Sequence, residues 1–164
     1  MIIAYCVDGD PNHGKAVNIV ERLRRVIGAN EFYASTLTLT ELYSVLSRNI
    51  QSFRLPPGIE ELVDYKTKLR LAVAYLLQLI PLHIISDEAK LADLDCWKIF
   101  NKFFEAINLA FKLKLKTLDL LHIAYASQFM EKGLVKFFVT FDSEILENRE
   151  AILEGLGIEV LGDN

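Results

Sequence analysis

Residues 31–48 read EFYASTLTLTELYSVLSR. EFYAST is a candidate for a short strand. Beyond it, apolar residues recur at helical spacing from Leu39 through Leu42 and Val45 to Leu46. A strand running straight into a helix is the motif that decides the fold, because the chain repeats it. Upstream, Ala16, Ile19, Val20, Leu23, Val26 and Ile27 mark a helix, with Gly28 just past its end. Downstream, PPG at 56–58 is a loop, IEELVDYKTKLRLAVAYLLQLI a long helix and LHIIS a short apolar strand. DEAKLADLD, residues 87–95, is polar and reads as a turn of helix. Ile99, Phe100, Phe103, Phe104, Ile107 and Phe111 mark another amphipathic helix. TLDLLHIAYASQFMEKG is a helix closing at Gly133, KFFVTFD a buried strand, SEILENREAILEGLG a helix and IEVL a last strand. Alternation of this kind predicts an α/β fold, a parallel sheet covered by helices on both faces. No internal repeat or low-complexity linker interrupts the 164 residues, so a single domain over 1–164 is expected.

Composition narrows the function. A formal charge of −4 provides no broad basic surface for binding nucleic acid by charge alone, so a polyanionic substrate would need a local basic patch or bridging metal ions. Cys6 and Cys96 form neither a disulfide framework nor a metal-ligand spacing, which fits a reduced, cytoplasmic setting. No signal-peptide pattern opens the chain. LRLAVAYLLQLIPLHII contains Arg70, Gln78, Pro81 and His83, and reads as a buried helix broken at Pro81, not a membrane span.

In parallel α/β sheets, ligands sit beyond the carboxyl ends of the strands. Three acids fall at such junctions: Glu41 after FYAST, Asp119 opening the TLDLLHIAYA helix, and Asp142 ending FFVTFD. Each has an ordinary explanation. Thr38 to Glu41 spells a capping box. Asp119 complements a helix dipole two residues after Thr117. Asp142 is a natural N-cap. Three on one sheet edge favour a shared cation, because crowded carboxylates otherwise repel and their pKa values rise. Hard oxygen ligands without a His or Cys partner suit Mg²⁺ or Mn²⁺. His122, three residues after Asp119, reads as a packing or hydrogen-bonding residue beneath the site. The cysteines read as packing residues.

YASTLTLTELYSVLSR, KTLDLLHIAYAS and FFVTFDSEIL, in that order, resemble the blocks of PIN-domain ribonucleases, and among these the small VapC-like toxins. DPNHGKA resembles the stretch leading into that family's first long helix. The resemblance runs from about Asp8 to Val160. It implies a three-layer α/β/α fold with four or five parallel strands. It also implies an acid cluster holding one or two Mg²⁺ or Mn²⁺ ions, and hydrolysis of RNA phosphodiesters. The family's acidic positions fall on Glu41, Asp119 and Asp142, and Thr140 matches a polar neighbour of the metal. A small antitoxin partner and a homodimer that leaves the acidic groove open are further implications. Candidate phosphate contacts are Arg48 and the lysines of KLKLK, Lys112, Lys114 and Lys116. Two other readings stand beside the nuclease: a degenerate PIN-like module that binds RNA or assembles, and a Mg²⁺-dependent phosphohydrolase of small esters.

The N-terminus, MIIAYCVDGDPNHGKA, bears on the first of these. The family begins with a strand ending in a metal-binding Asp, then a short helix. MIIAYC is either the start of that helix, the acid lying before Met1, or a buried strand that fills the sheet. The strand reading is adopted here. It sets Met1–Val7 between Phe32–Ser35 and Phe137–Thr140 and makes Asp8 the fourth acid facing Asp119, with Asp10 a turn residue before Pro11.

Overall fold

The computed structural model describes residues 1–7, 9–28 and 31–162, the side chain of Ile27 excepted. The chain divides into two compact units, residues 1–85 and 86–164.

The first unit opens on helix α1 (Ile2–Cys6), not on a strand. The expected strand is therefore corrected. Ala4 and Cys6 are buried, and Ile2, Ile3, Tyr5 and Val7 pack against a core of Leu42, Leu46, Phe53, Leu55, Ala72, Val73 and Leu76. A helix lets this run bury its apolar side chains while satisfying its own backbone. The His13 ring Nδ1–H donates to the Ala4 carbonyl over 2.9 Å, which occupies an acceptor the helix end leaves open. Asp10 Oδ1 accepts from the Asn12 amide at 2.8 Å, the local turn bond expected of it.

Helix α2 (His13–Arg22) runs into one π-helical turn, Leu23–Ile27, and stops at Gly28 with φ 67°. Strand β1 (Phe32–Ser35) leads directly into α3 (Thr36–Asn49), as the opening motif predicts. The long helix expected over 59–80 is instead two: α4 (Pro57–Glu60) and α5 (Tyr65–Leu79). Asp64 causes the break by capping α5, its Oδ2 accepting from the Thr67 amide at 2.9 Å. Strand β2 (Leu82–Ile85) pairs in parallel with β1, Phe32 opposite Leu82.

The second unit begins with a feature absent from the sequence reading. The segment expected as a turn of helix is an antiparallel hairpin, β3 (Leu91–Leu94) and β4 (Trp97–Phe100). Its two-residue turn places Asp95 at φ 51°, which Asp tolerates better than most residues. Helix α6 (Asn101–Ala110) starts after the hairpin, two residues later than Ile99 suggested. Helix α7 (Thr117–Glu131) is followed by β5 (Phe137–Val139), α8 (Ser143–Glu147), α9 (Arg149–Leu156) and β6 (Glu159–Leu161). The single helix expected over 143–157 is thus split at Asn148. Strand β6 pairs in parallel with β5, and the Thr140 amide extends the ladder to the Leu161 carbonyl at 2.9 Å.

The fold is α/β, with parallel pairing in each unit. The described strands hydrogen-bond as three separate pairs, not as the single sheet of four or five parallel strands expected. Close packing fixes the end of β6. A Cβ on Gly162 would lie 2.5 Å from the Thr140 carbonyl oxygen and 2.6 Å from a Leu146 methyl. Gly162→Ala should therefore cost about 1–3 kcal/mol through overpacking. A thermal melt indistinguishable from wild type would refute that close approach.

Candidate functional site

The second unit gathers three of the sequence-predicted residues. Asp119 lies in the first turn of α7, half-buried. Asp142 is the N-cap of α8: its Oδ1 accepts from the Glu144 amide at 2.9 Å and the Ile145 amide at 3.2 Å. The capping explanation is therefore true of Asp142, and it leaves both hydrogen bonds on one oxygen. Thr140 Oγ1 accepts from the Asp142 amide at 3.0 Å, which ties the strand end to the acid.

Electrostatics couple these groups. The Asp119 carboxyl is pushed above its usual pKa, first by burial and then by the charges of Asp142 and Glu144, while His122 and Lys116 oppose the rise. Crowding thus contributes, with desolvation the larger cause. Lys116 donates from Nζ to Glu144 Oε1 at 2.5 Å, and that bond together with the Glu144, Asp142 and Asp119 charges raises its own pKa. Glu144 was missed in the sequence. The only signal was its place two residues beyond Asp142 in FDSEIL.

The raised pKa has a sign that can be tested. Folding makes Asp119 a weaker acid, so its ionisation opposes folding, and its own contribution to metal-free stability falls as pH rises from the usual carboxylate range, about pH 4, through the raised value. Asp119→Asn should therefore make the metal-free protein more stable than wild type near neutral pH, and the difference should vanish toward pH ~3. Urea unfolding at both pH values measures it, and a variant less stable at neutrality would contradict it.

Glu41 belongs to the first unit, where the capping box does not form. The N-cap of α3 is Ser35, whose Oγ accepts from the Thr38 amide at 3.2 Å. The helix starts earlier than Thr38 would have it, so Glu41 falls in the second turn. The ordinary explanation for Glu41 is thereby removed. It is half-buried, and its charge reaches the Met1 α-amino group, whose pKa burial lowers while Asp10, Glu41 and Cys6 hold it up. Asp8, read as the fourth acid, lies outside the described residues. The strand that was to deliver it is helix α1.

Among the described residues, no group of three or more His, Cys, Asp or Glu is gathered closely enough to hold a metal ion. The donors that do come together, Asp119 with Asp142, are all oxygen, the chemistry that suits Mg²⁺ or Mn²⁺. Arg48 is turned onto its own helix, Nε donating to the Ser44 carbonyl at 3.1 Å. Lys112, Lys114 and Lys116 are exposed and Leu113 is buried, but Lys112 lies in the turn that closes α6, so the segment is not extended throughout. Burial pushes the Cys6 thiol up to about 11, which suits a packing residue and not a nucleophile.

A cavity of about 320 Å³ elsewhere in this unit is lined by Glu88, Lys90, Lys102, Glu105 and Lys132 among others, and not by Asp119 or Asp142. Hydrogen bonds from Lys132 and Lys90 hold Glu88 down to about 2. That is the signature of an ion-pair network, opposite in direction to the shift at Asp119. No described helix is long and apolar enough to cross a membrane.

The family model described as PIN domain matches residues 1–151. No curated protein and no solved structure matches the chain.

Proposed function

Because this chain belongs to the PIN-domain family, a family of nucleases, we propose that it is a metal-dependent endoribonuclease of the VapC-like kind, the toxin of a toxin–antitoxin pair. Asp119 and Asp142 are metal ligands on this reading, and Glu41 is the family acid carried by the first unit. The observation that supports it is the pair Asp119 and Asp142: one carboxyl at the start of α7 is kept reluctant to ionise by burial and by the other acid at the end of β5. Asp119 and Asp142 would hold a divalent ion there, and such an ion would ease their repulsion and supply water activation and charge neutralisation at a phosphodiester. Thr140 positions Asp142 through its backbone amide. Lys116, exposed beside the acids, is the residue that meets a backbone phosphate, with Arg48 as a second candidate. The same reading gives the protein a small inhibitory antitoxin and a cytoplasmic location.

The test is cleavage of a single-stranded RNA by the purified chain in Mg²⁺ or Mn²⁺, with a chelator as control. Cleavage that persists in excess chelator would sink the metal-dependent reading. One observation favours a second reading, the degenerate module that binds RNA without cutting it. Helix α1 stands where the strand carrying the first acid was expected. RNA binding at low salt without cleavage in either metal would establish it.

A further inference from the structure

The cavity of about 320 Å³ in the second unit opens where α6, the C-terminal end of α7 and residues 86–90 meet, the last forming neither helix nor strand. Every described residue that lines it is polar or charged. Small-molecule pockets start at about 300 Å³ and are mostly apolar, so a lining of this kind suits a hydrophilic ligand. Two poles are distinct. At the first, Lys132 Nζ donates to Glu88 Oε1 at 2.5 Å and Lys90 Nζ lies 2.6 Å from Oε2, one ammonium to each oxygen. At the second, Glu105 accepts from Asn101 Nδ2 at 2.5 Å and from Gln128 Nε2 at 2.9 Å, again one donor to each oxygen. Those donors are neutral amides, which fix the Glu105 carboxylate without cancelling its charge. Lys102, its side chain only 12% exposed, sits 4.1 Å above the Tyr125 ring centroid and pairs with Asp87. Two successive acids, Asp87 and Glu88, are thus laid on lysines of the cavity wall.

We propose that this cavity binds a small sugar phosphate, free or within a mononucleotide, and that the Glu88 carboxylate holds the phosphate's place in the ligand-free protein. Charge supports the phosphate. With Glu88 withdrawn, Lys90 and Lys132 leave two positive charges at one spot. A phosphomonoester carries about −1.5 to −2 at neutral pH, where a carboxylate carries one charge. Lysine suits it as a compact point charge. The depressed pKa of Glu88 is the same preference for an anion, read on the resident group. Glu88 leaves at small cost. Its side chain is 44% exposed on an irregular segment, and exposed ion pairs contribute little to stability. The second pole supports the sugar. A carboxylate accepts about four hydrogen bonds, and the two amides leave Glu105 with capacity for a pair of hydroxyls. A strand of RNA fits less well. Asp87, Glu88, Glu105 and Glu131 at least match the nearby lysines in number, and they repel a run of phosphates where a single one is satisfied. This inference does not depend on the nuclease reading, and catalysis forms no part of its test.

Isothermal titration of the full chain with ribose 5-phosphate is the experiment, at low salt in a phosphate-free buffer that contains a chelator. Ribose 5-phosphate should bind and ribose should not. Glu88→Gln should tighten binding about tenfold, because it removes the competing anion and leaves both lysines in place. Lys132→Gln should weaken binding at least about tenfold, and Lys90→Gln serves should that variant misfold by circular dichroism. Glu105→Gln should weaken ribose 5-phosphate and leave inorganic phosphate unchanged. Binding should persist in Asp119→Asn, which separates this cavity from the acid pair. Adenosine monophosphate bound more tightly than ribose 5-phosphate assigns the site to a nucleotide; equal or weaker binding assigns it to the free sugar phosphate. Silence of both wild type and Glu88→Gln at about 10 mM ligand overturns the inference, as does binding indifferent to Glu88→Gln or to the lysine variants. Inorganic phosphate that matches ribose 5-phosphate in every variant marks an adventitious ion only and overturns it. A single-stranded RNA that displaces ribose 5-phosphate gives the lysines to nucleic acid and overturns it equally.

Discussion

Asp119→Asn should lose metal-dependent RNA cleavage by about 10²–10³-fold, the scale of removing one group that stabilises charge in a transition state. The substitution keeps shape and removes charge. The half-buried position in the first turn of α7 tolerates a neutral amide, and relief from burying a charge, with the Asp142 repulsion added to it, should make the metal-free fold more stable near neutral pH. Activity and stability therefore move in opposite directions, a pattern that a merely damaged fold does not produce. The metal response separates the two further. A ligand that binds only the folded state stabilises it by about 2.7 kcal/mol at a hundred times its Kd. Mn²⁺ should raise the melting temperature of wild type, and that rise should shrink in the variant. Cleavage retained within threefold of wild type would remove Asp119 from the metal site.

Leu46→Ala should give the largest loss of stability. Leu46 is fully buried in the first unit's core, in one cluster with Leu42 on its own helix and Leu76 on α5. Truncating a buried leucine costs about 2–5 kcal/mol, lost transfer energy plus the cavity left behind. For a chain of this size the melting temperature should fall by roughly 5–15 °C. Glu41 lies on the same helix, so repacking of α3 should also be felt at that carboxylate. A loss below about 1 kcal/mol by urea denaturation would show that the core closes over the cavity.

What the sequence disclosed follows from where local chemistry rules. Ser35 at the end of β1 and Gly28, Gly133 and Gly157 at left-handed helix ends punctuate the chain by backbone geometry alone, and most elements begin or end near where the pattern puts them. Boundaries failed where two signals competed. Thr38 and Glu41 spell a capping box, yet Ser35 caps one turn earlier, because the chain must leave the strand before Thr38. Residues 87–95 looked helical by polarity, yet β3 reads LADL, too short for periodicity to distinguish a strand from a turn of helix. MIIAYC is apolar without period, which a buried strand and a buried short helix share. Tertiary packing against Leu42 and Leu46 decided it. The acids at Asp119 and Asp142 were legible because strand-to-helix junctions carry them. Glu144 was not, since its role depends on Lys116, 28 residues away.

The way Asp142 holds α8 also bears on which ion the protein would accept. Both amide bonds fall on Oδ1, which leaves Oδ2 as the oxygen a cation would meet on the nuclease reading. A carboxylate spent in this way grips through a single oxygen. Calcium favours many ligands and often takes both oxygens of one carboxylate, whereas magnesium keeps most of its water and is satisfied by single contacts at short range. On the nuclease reading the helix cap would thus bias the site toward magnesium, because the backbone that anchors α8 already engages one of the two oxygens that a bidentate calcium ion uses.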